Sequence, residues 1–356
     1  MSYKPQGYPS ISPDLIVEDA AEADFEPLRQ LLVDQRPAIG LDRPVRNETA
    51  LKLDRPILLA PKPEQRVWGG RRLAELFGRD LPEGTFGESW EVHGDLLATD
   101  QPLAGRTLDS LVAEYGTELL GRRGNPAESF PLLTKWLDCK DWLSVQVHPD
   151  DALAQELTGS SAQRGKTEAW YVAETDPEAS LIHGLRPGVT LADLQQAEGQ
   201  EILELLNRAS PGPGTLLFTG AGTVHALGPG FLIYEVQQSS DLTYRLYDWG
   251  RDRPIHPAES LRCLTETPST PFVQEGQRLR CRYFEIEIVE CARDIELDGE
   301  SFAIVAAVQG AWQLQGEFDP IALAYGDSAL LPAHLGAVKL SGTGRLLKIG
   351  LGDGKF

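Results

Sequence analysis

From residue 55 onward, short apolar or alternating runs recur between turn residues, and this punctuation limits the chain to a strand-dominated fold. Residues 56–60, 88–92, 132–147, 170–172, 181–183, 215–218, 224–226, 231–236 and 243–247 all read as strands. The 35 Gly and 25 Pro among 356 residues supply the turns, and 41% apolar content supplies a core. Helices are few. Residues 108–120 have helical period and stop at Gly121. Thr190 with Asp193 forms a relative of the capping box, and a second helical piece covers 201–208 after Gly199.

Pro268, Pro271 and Gly276 mark a boundary. Beyond it, runs at 283–289, 302–308, 311–315, 328–331 and 346–349 have the spacing of a small sandwich or barrel. Residues 214–226 and 324–332 each pair a Gly turn, an apolar strand and a second turn, so two copies of one β-fold are expected. The expected organisation is an arm over 1–50, a ligand-bearing β-domain with a helical insertion over 51–267, and a ligand-free one over 268–356. Within the arm, 1–13 reads as disordered, 18–34 as a helix with Phe25, Leu28, Leu31 and Leu32 on one stripe, and 35–46 as a linker.

A formal charge of −20, from 53 acids against 33 Lys and Arg, excludes a general nucleic-acid or anionic-membrane binder. A few cations in a cleft can still receive a small anion. No run approaches a membrane span, and the N-terminus lacks a signal-peptide core. Cys139, Cys263, Cys281 and Cys291 show no C-x-x-C spacing, so reduced thiols in a cytoplasmic protein are expected.

Three segments carry the chemistry: Ser144-Val-Gln-Val-His148-Pro-Asp-Asp, Gly165-Lys-Thr-Glu168 and Gly222-Thr-Val-His225-Ala. Two neutral imidazoles and a carboxylate suit a borderline divalent ion such as zinc, with positions left open for substrate. Gln146 and His148 are i and i+2 on a strand and share a face. Taken singly, each residue is more simply a buried histidine or a surface acid. Together, His148, Glu168 and His225 favour ligation, with Gln146 as an optional fourth donor. Lys166 reads either as a solvated loop lysine or as a partner for a substrate oxyanion. Glu235 could move a proton and Arg245 could bind an oxyanion. A structural pair of Arg245 with Asp248 or Glu235 is the plainer alternative. His93, His183, His256 and His334 read as packing residues, Asp150 and Asp151 as helix caps, and Trp68-Gly-Gly as a turn.

These segments, with Gln237-Gln-Ser-Ser-Asp-x-Thr-Tyr-Arg245-x-Tyr-Asp, Val67-Trp-Gly-Gly and Gly87-Glu-Ser-Trp-Glu, resemble the type I phosphomannose isomerases in their short bacterial form, over about residues 55–350. The resemblance implies a tandem cupin (jelly-roll) fold, mainly β, with helical insertions and a second, metal-free cupin. It implies Zn2+ at His148, Glu168 and His225, with Gln146 as fourth ligand. Arg245 matches the catalytic arginine, Glu235 and Lys166 line the substrate cleft, and Ser144 matches a phosphate-contacting position. The implied reaction interconverts mannose 6-phosphate and fructose 6-phosphate through a cis-enediol, with Glu235 proposed as base. The implied partner is a small sugar phosphate, and the assembly a monomer or homodimer. Gly220, Thr215 and Glu91-Val-His93-Gly-Asp depart from the family pattern. Two alternatives are a metal cupin of other chemistry, such as a ferrous oxygenase, and a non-catalytic sugar-phosphate-binding protein.

Overall fold

The computed structural model describes residues 52–265, 272–273 and 278–354. The expected arm and the Pro268–Gly276 boundary lie outside these. The described chain is built from β1 (Lys62–Gly70), β2 (Phe86–Val92), β3 (Leu132–Cys139), β4 (Val145–Val147), β5 (Glu168–Thr175), β6 (Leu181–Leu185), β7 (Leu206–Ala209), β8 (Leu216–Thr219), β9 (His225–Leu227), β10 (Phe231–Gln238), β11 (Tyr244–Tyr247) and β12 (Phe272–Val273). Then follow β13 (Arg278–Arg280), β14 (Phe284–Val289), β15 (Arg293–Leu297), β16 (Ala303–Gln315), β17 (Ile321–Leu323), β18 (Ser328–Leu331) and β19 (Gly336–Leu351).

Two facing sheets form the first β-unit, in the orders β1-β2-β3-β10-β5-β8-β12 and β11-β4-β9-β6-β7. The second unit is one seven-stranded sheet in which β16 and β19 pair along most of their length. Among the described residues all strand pairings are antiparallel, as hairpins and Greek-key returns require. Period-two alternation divides the side chains of the first sheet. Trp170, Val172, Leu137 and Ile233 pack inward between the two sheets with Leu181 and Leu227. Tyr171, Trp136, Tyr234 and Val236 face the other way and form one core with Phe284, Ile286, Phe302 and Ile304 of the second unit. That unit has its own interior around Val305, Trp312, Leu314, Val338 and Leu340. The mainly-β tandem cupin architecture is therefore present.

Local differences from the sequence reading have physical causes. The helical stretch at 108–120 is two helices, Leu108–Tyr115 and Thr117–Leu120, because Gly116 takes φ 54° between them. The piece at 201–208 is a single helical turn, Glu201–Glu204, followed by β7, where pairing with β6 overrides helical propensity. Runs 302–308 and 311–315 are one strand, bent by a bulge between Ala307 and Gln309. Residues 56–60 make only isolated bridges, Ile57 to Leu330 and Leu59 to Ala98. Trp68-Gly-Gly ends β1 rather than forming a turn; a Cβ on Gly69 would lie 2.3 Å from the Gly87 nitrogen. The capping box at Thr190 and Asp193 forms on the helix Leu191–Gln196.

Candidate metal centre and cleft

Two rows of side chains face each other inside the first unit. Directly opposite positions on paired strands share a face. On one sheet Lys135, Glu235 and Trp170 are register partners across β3, β10 and β5. On the other, Arg245, Gln146, His225 and His183 are partners across β11, β4, β9 and β6. His148 follows β4 directly, and Glu168 opens β5. The ligand candidates thus come from both sheets and meet between them.

His148, Glu168 and His225 are all buried, with their donor atoms within 4.8 Å of one another. Both imidazoles are oriented by backbone carbonyls. His148 Nδ1 donates to Leu242 O at 2.8 Å, and His225 Nδ1 to Thr223 O at 2.9 Å. That leaves the Nε2 lone pairs pointing inward, the second-layer arrangement that fixes ligand histidines. Burial, then the charges of Lys166 and His225, push the His148 pKa well below its usual value. Burial pushes His225 down to about 4. Both rings are neutral at pH 7, as ligation demands.

His225 Nε2 lies 3.3 Å from Glu168 Oε1, and His148 Nε2 lies 3.6 Å from Oε2. Ligand atoms about 2.1 Å from a tetrahedral ion stand about 3.4 Å apart, close to these two carboxylate–imidazole distances. Among the described residues neither buried oxygen of Glu168 receives a hydrogen bond, although Lys166 Nζ lies 2.9 Å from Oε2. Unsatisfied buried carboxylate oxygens are costly unless a cation takes them up. The donor set therefore fits a borderline divalent ion. Gln146 Nε2 lies 3.2 Å from His225 Nε2 and Ser144 Oγ donates to Gln146 Oε1 at 3.4 Å. Turning the amide over presents Oε1 to the same point.

Lys166 lies among the ligand candidates, its Nζ 3.2 Å from His148 Nε2 and 3.9 Å from Glu235 Oε1. Glu235 is buried, with Oε1 3.2 Å from Lys135 Nζ and Oε2 accepting from Trp170 Nε1 at 3.2 Å. Burial and the nearby Glu168 raise its pKa against the pull of Lys135 and Lys166. Arg245 makes neither expected ion pair among the described residues. Asp248 is instead held by Arg253 at 2.6 Å and by Arg251. The Arg245 Nε is buried and has no hydrogen-bond partner among the described residues. Burial, followed by Arg253, lowers the Arg245 pKa, and Asp248 opposes the shift.

Three participants escape the sequence reading. Lys135 lies between Glu235 and Glu88, 3.2 and 3.8 Å away. Arg66 donates to Glu88 Oε1 at 2.9 Å. Burial would raise Glu88, but Lys135, Arg66 and Trp90 hold it at about 2. Arg66, Glu88, Lys135, Glu235 and Lys166 thus alternate in charge toward the His148, Glu168 and His225 cluster. A lone Lys inside the buried run Leu-Leu-Thr-Lys-Trp-Leu-Asp-Cys was the available signal, since a buried ammonium demands a partner. Of the other histidines, His183 bonds the Phe218 carbonyl at 3.1 Å and His93 Nε2 lies 3.1 Å from Ser239 Oγ.

Residues 57–182 match the family "Phosphomannose isomerase type I, catalytic domain", and residues 275–350 match "Mannose-6-phosphate isomerase, cupin domain". The chain is 34% identical to the mannose-6-phosphate isomerase of Streptococcus mutans, over 78% of this chain and 92% of that one. The crystal structure of the Bacillus subtilis mannose 6-phosphate isomerase superposes with a TM-score of 0.71 at 30% identity, covering 83% of this chain and 99% of that one. A zinc-bound mannose 6-phosphate isomerase shares the fold, with a TM-score of 0.68 at 19% identity, over 83% of this chain and 99% of that one. These family matches, together with 34% identity over 78% of this chain, make the chain a member of the type I phosphomannose isomerase family.

Proposed function

We propose that the chain interconverts mannose 6-phosphate and fructose 6-phosphate, using Zn2+ held by His148, Glu168 and His225, with Gln146 as fourth donor. The observation that carries this reading is the convergence of the three ligand candidates beside a buried Glu235 and Lys166. Family membership supports isomerisation over an oxygenase or a binding-only role. The pairing of buried thiols with an unpaired, exposed Cys291 suits a reducing, cytoplasmic setting.

Bound zinc supplies Lewis acidity toward a sugar oxygen. The chain's own residues do the rest. Glu235 is the base that carries a proton between C2 and C1 of the open-chain sugar by way of a cis-enediol. Its raised pKa brings it nearer the working pH, where a general base is most effective. Lys135 and Trp170 fix its two oxygens. Arg245 stabilises the negative charge that develops on the enediolate, and its uncommitted Nε leaves it free for that contact. Lys166 and Ser144 hold phosphate. The Lys166 ammonium and a dication repel each other, and an anionic substrate group between them relieves that repulsion.

The test is a coupled assay of mannose 6-phosphate conversion on protein stripped with chelator and then reloaded with zinc. Activity is expected to vanish and return. Folded, zinc-loaded protein that binds the sugar phosphate without turnover refutes the isomerase reading. Activity restored by ferrous ion with oxygen uptake supports the oxygenase instead.

A further inference from the structure

Asp151 is not the helix cap its position suggests. Asp150 caps the helix Asp151–Thr158, accepting from Leu153 N at 2.8 Å. The Asp151 carboxylate turns to the segment that leads into Glu168. Its Oδ1 accepts the Gly165 N–H at 2.8 Å and the Gln238 side-chain amide at 2.9 Å. The other end of that amide, Gln238 Oε1, accepts the Thr167 N–H at 2.9 Å, while Gln238 N donates to Thr167 O at 3.1 Å. Lys166 N donates to Pro149 O at 3.0 Å. Every residue from Gly165 to Thr167 is thus tied either to the stretch following His148 or to the end of β10.

The two backbones touch. A Cβ on Gly165 would lie 2.5 Å from the Asp150 carbonyl carbon and 2.6 Å from Asp151 N, so only glycine permits the approach. Asp151 Oδ2 accepts from the hydroxyl of Tyr283, at 2.9 Å, from the second unit. Among the described residues no Lys or Arg forms an ion pair with Asp151. Its charge is met by three hydrogen-bond donors, which fix direction as well as distance.

We infer that Asp151 is a positioning residue. It sets the Gly165–Glu168 segment in register against His148, and through Tyr283 it makes the second β-unit a support for the metal centre. The inference rests on the metal-centre reading above. It gives the second unit a role at the site: the hydroxyl from just before β14 holds the carboxylate that holds the ligand segment.

The experiment measures zinc affinity by competition with a chromophoric chelator, alongside kcat and KM, for four variants of the full chain. Asp151→Ala is expected to weaken zinc binding and lower kcat, each by about 10–100-fold, with KM little changed. Asp151→Asn keeps an acceptor for Gly165 and Gln238 and is expected to restore both towards wild type. Tyr283→Phe is expected to have a smaller effect of the same sign. Wild-type zinc affinity and kcat in folded Asp151→Ala overturn the inference, as does an Asp151→Asn variant no better than Asp151→Ala. Should Asp151→Ala fail to fold, Gln238→Leu cuts the bridge to Thr167, and unchanged zinc affinity there is equally fatal. Zinc affinity is read without substrate, so wild-type protein that binds zinc but does not turn over the sugar refutes the isomerase reading and leaves this one decidable.

Discussion

Lys135 and Glu235 stand directly opposite each other on β3 and β10, with Nζ 3.2 Å from Oε1 and both side chains buried. A pair of this kind is poor evidence of net stability, because desolvation offsets much of the attraction. Removing one member is different, since it strands the other.

Lys135→Met is therefore expected to cost about 3–5 kcal/mol, read by urea unfolding. The pH dependence carries the diagnosis. Glu235 already titrates above its unfolded value, and without Lys135 it does so further above. Over that window the folded state binds more protons than the unfolded state, so the variant loses stability as pH rises. The penalty should be smallest near pH 5 and grow toward pH 8. A penalty independent of pH would show that Glu235 is not the stranded group.

The histidines give the opposite sign in the metal-free protein. His225 and His183 titrate at about 4, chiefly through burial, against a usual 6.5. Between those values the unfolded chain binds more protons, so stability falls as pH drops from 6.5 toward 4. Each ring contributes a loss of about 3 kcal/mol by pH 4. The same neutrality means that protons scarcely compete with zinc near neutral pH. Zinc affinity should change little between pH 6 and 7.5, whereas ligands with ordinary imidazole pKa values would lose affinity across that interval.

The candidate ligands were legible because each occupies a local pattern that sequence displays. His148 sits before Pro149, Glu168 follows Gly165-Lys-Thr, and His225 follows Gly222. Gly222 takes φ 86°, and its N–H bonds the His148 carbonyl at 2.8 Å, so a turn signal and a ligand position coincide. The supporting charges were not legible. Arg66, Glu88 and Lys135 are joined only by strand pairing across β1, β2 and β3, and pairing register is a long-range property. The length of β19 was hidden for a related reason. Only residues 346–349 of it read as a strand, yet its polar residues 341–345 pair with residues 309–313 of β16, and Gly310 faces Gly344 where the backbones approach closely. Asp151 was misread because helix capping, the local use of an aspartate, fits its position equally well.

Arg245 separates catalysis from metal binding. It sits in register with Gln146 but touches none of the three ligand candidates, and its guanidinium has no ion pair among the described residues. Arg245→Ala should reduce kcat by about 10²–10³-fold with zinc content unchanged. Arg245→Lys should not restore it, since an ammonium is a point charge without the planar fork of a guanidinium. Near-normal turnover in Arg245→Ala would remove it from the mechanism.

Lys166 gives the converse test. Its Nζ is 2.9 Å from Glu168 Oε2 and 3.2 Å from His148 Nε2, the same atoms assigned to zinc. A fixed positive charge there competes with a dication for the carboxylate and repels it once bound. Lys166→Met removes that repulsion without altering any ligand candidate. Zinc affinity in the absence of substrate is therefore expected to rise, by about tenfold for a gain near 1.4 kcal/mol. At the same time kcat/KM for mannose 6-phosphate should fall, because the phosphate loses its cation. Isothermal titration of zinc into stripped protein, beside steady-state kinetics, reads both. Weaker zinc binding in the variant would mean that Lys166 stabilises the centre rather than opposing it. Unchanged kcat/KM would place the phosphate away from Lys166.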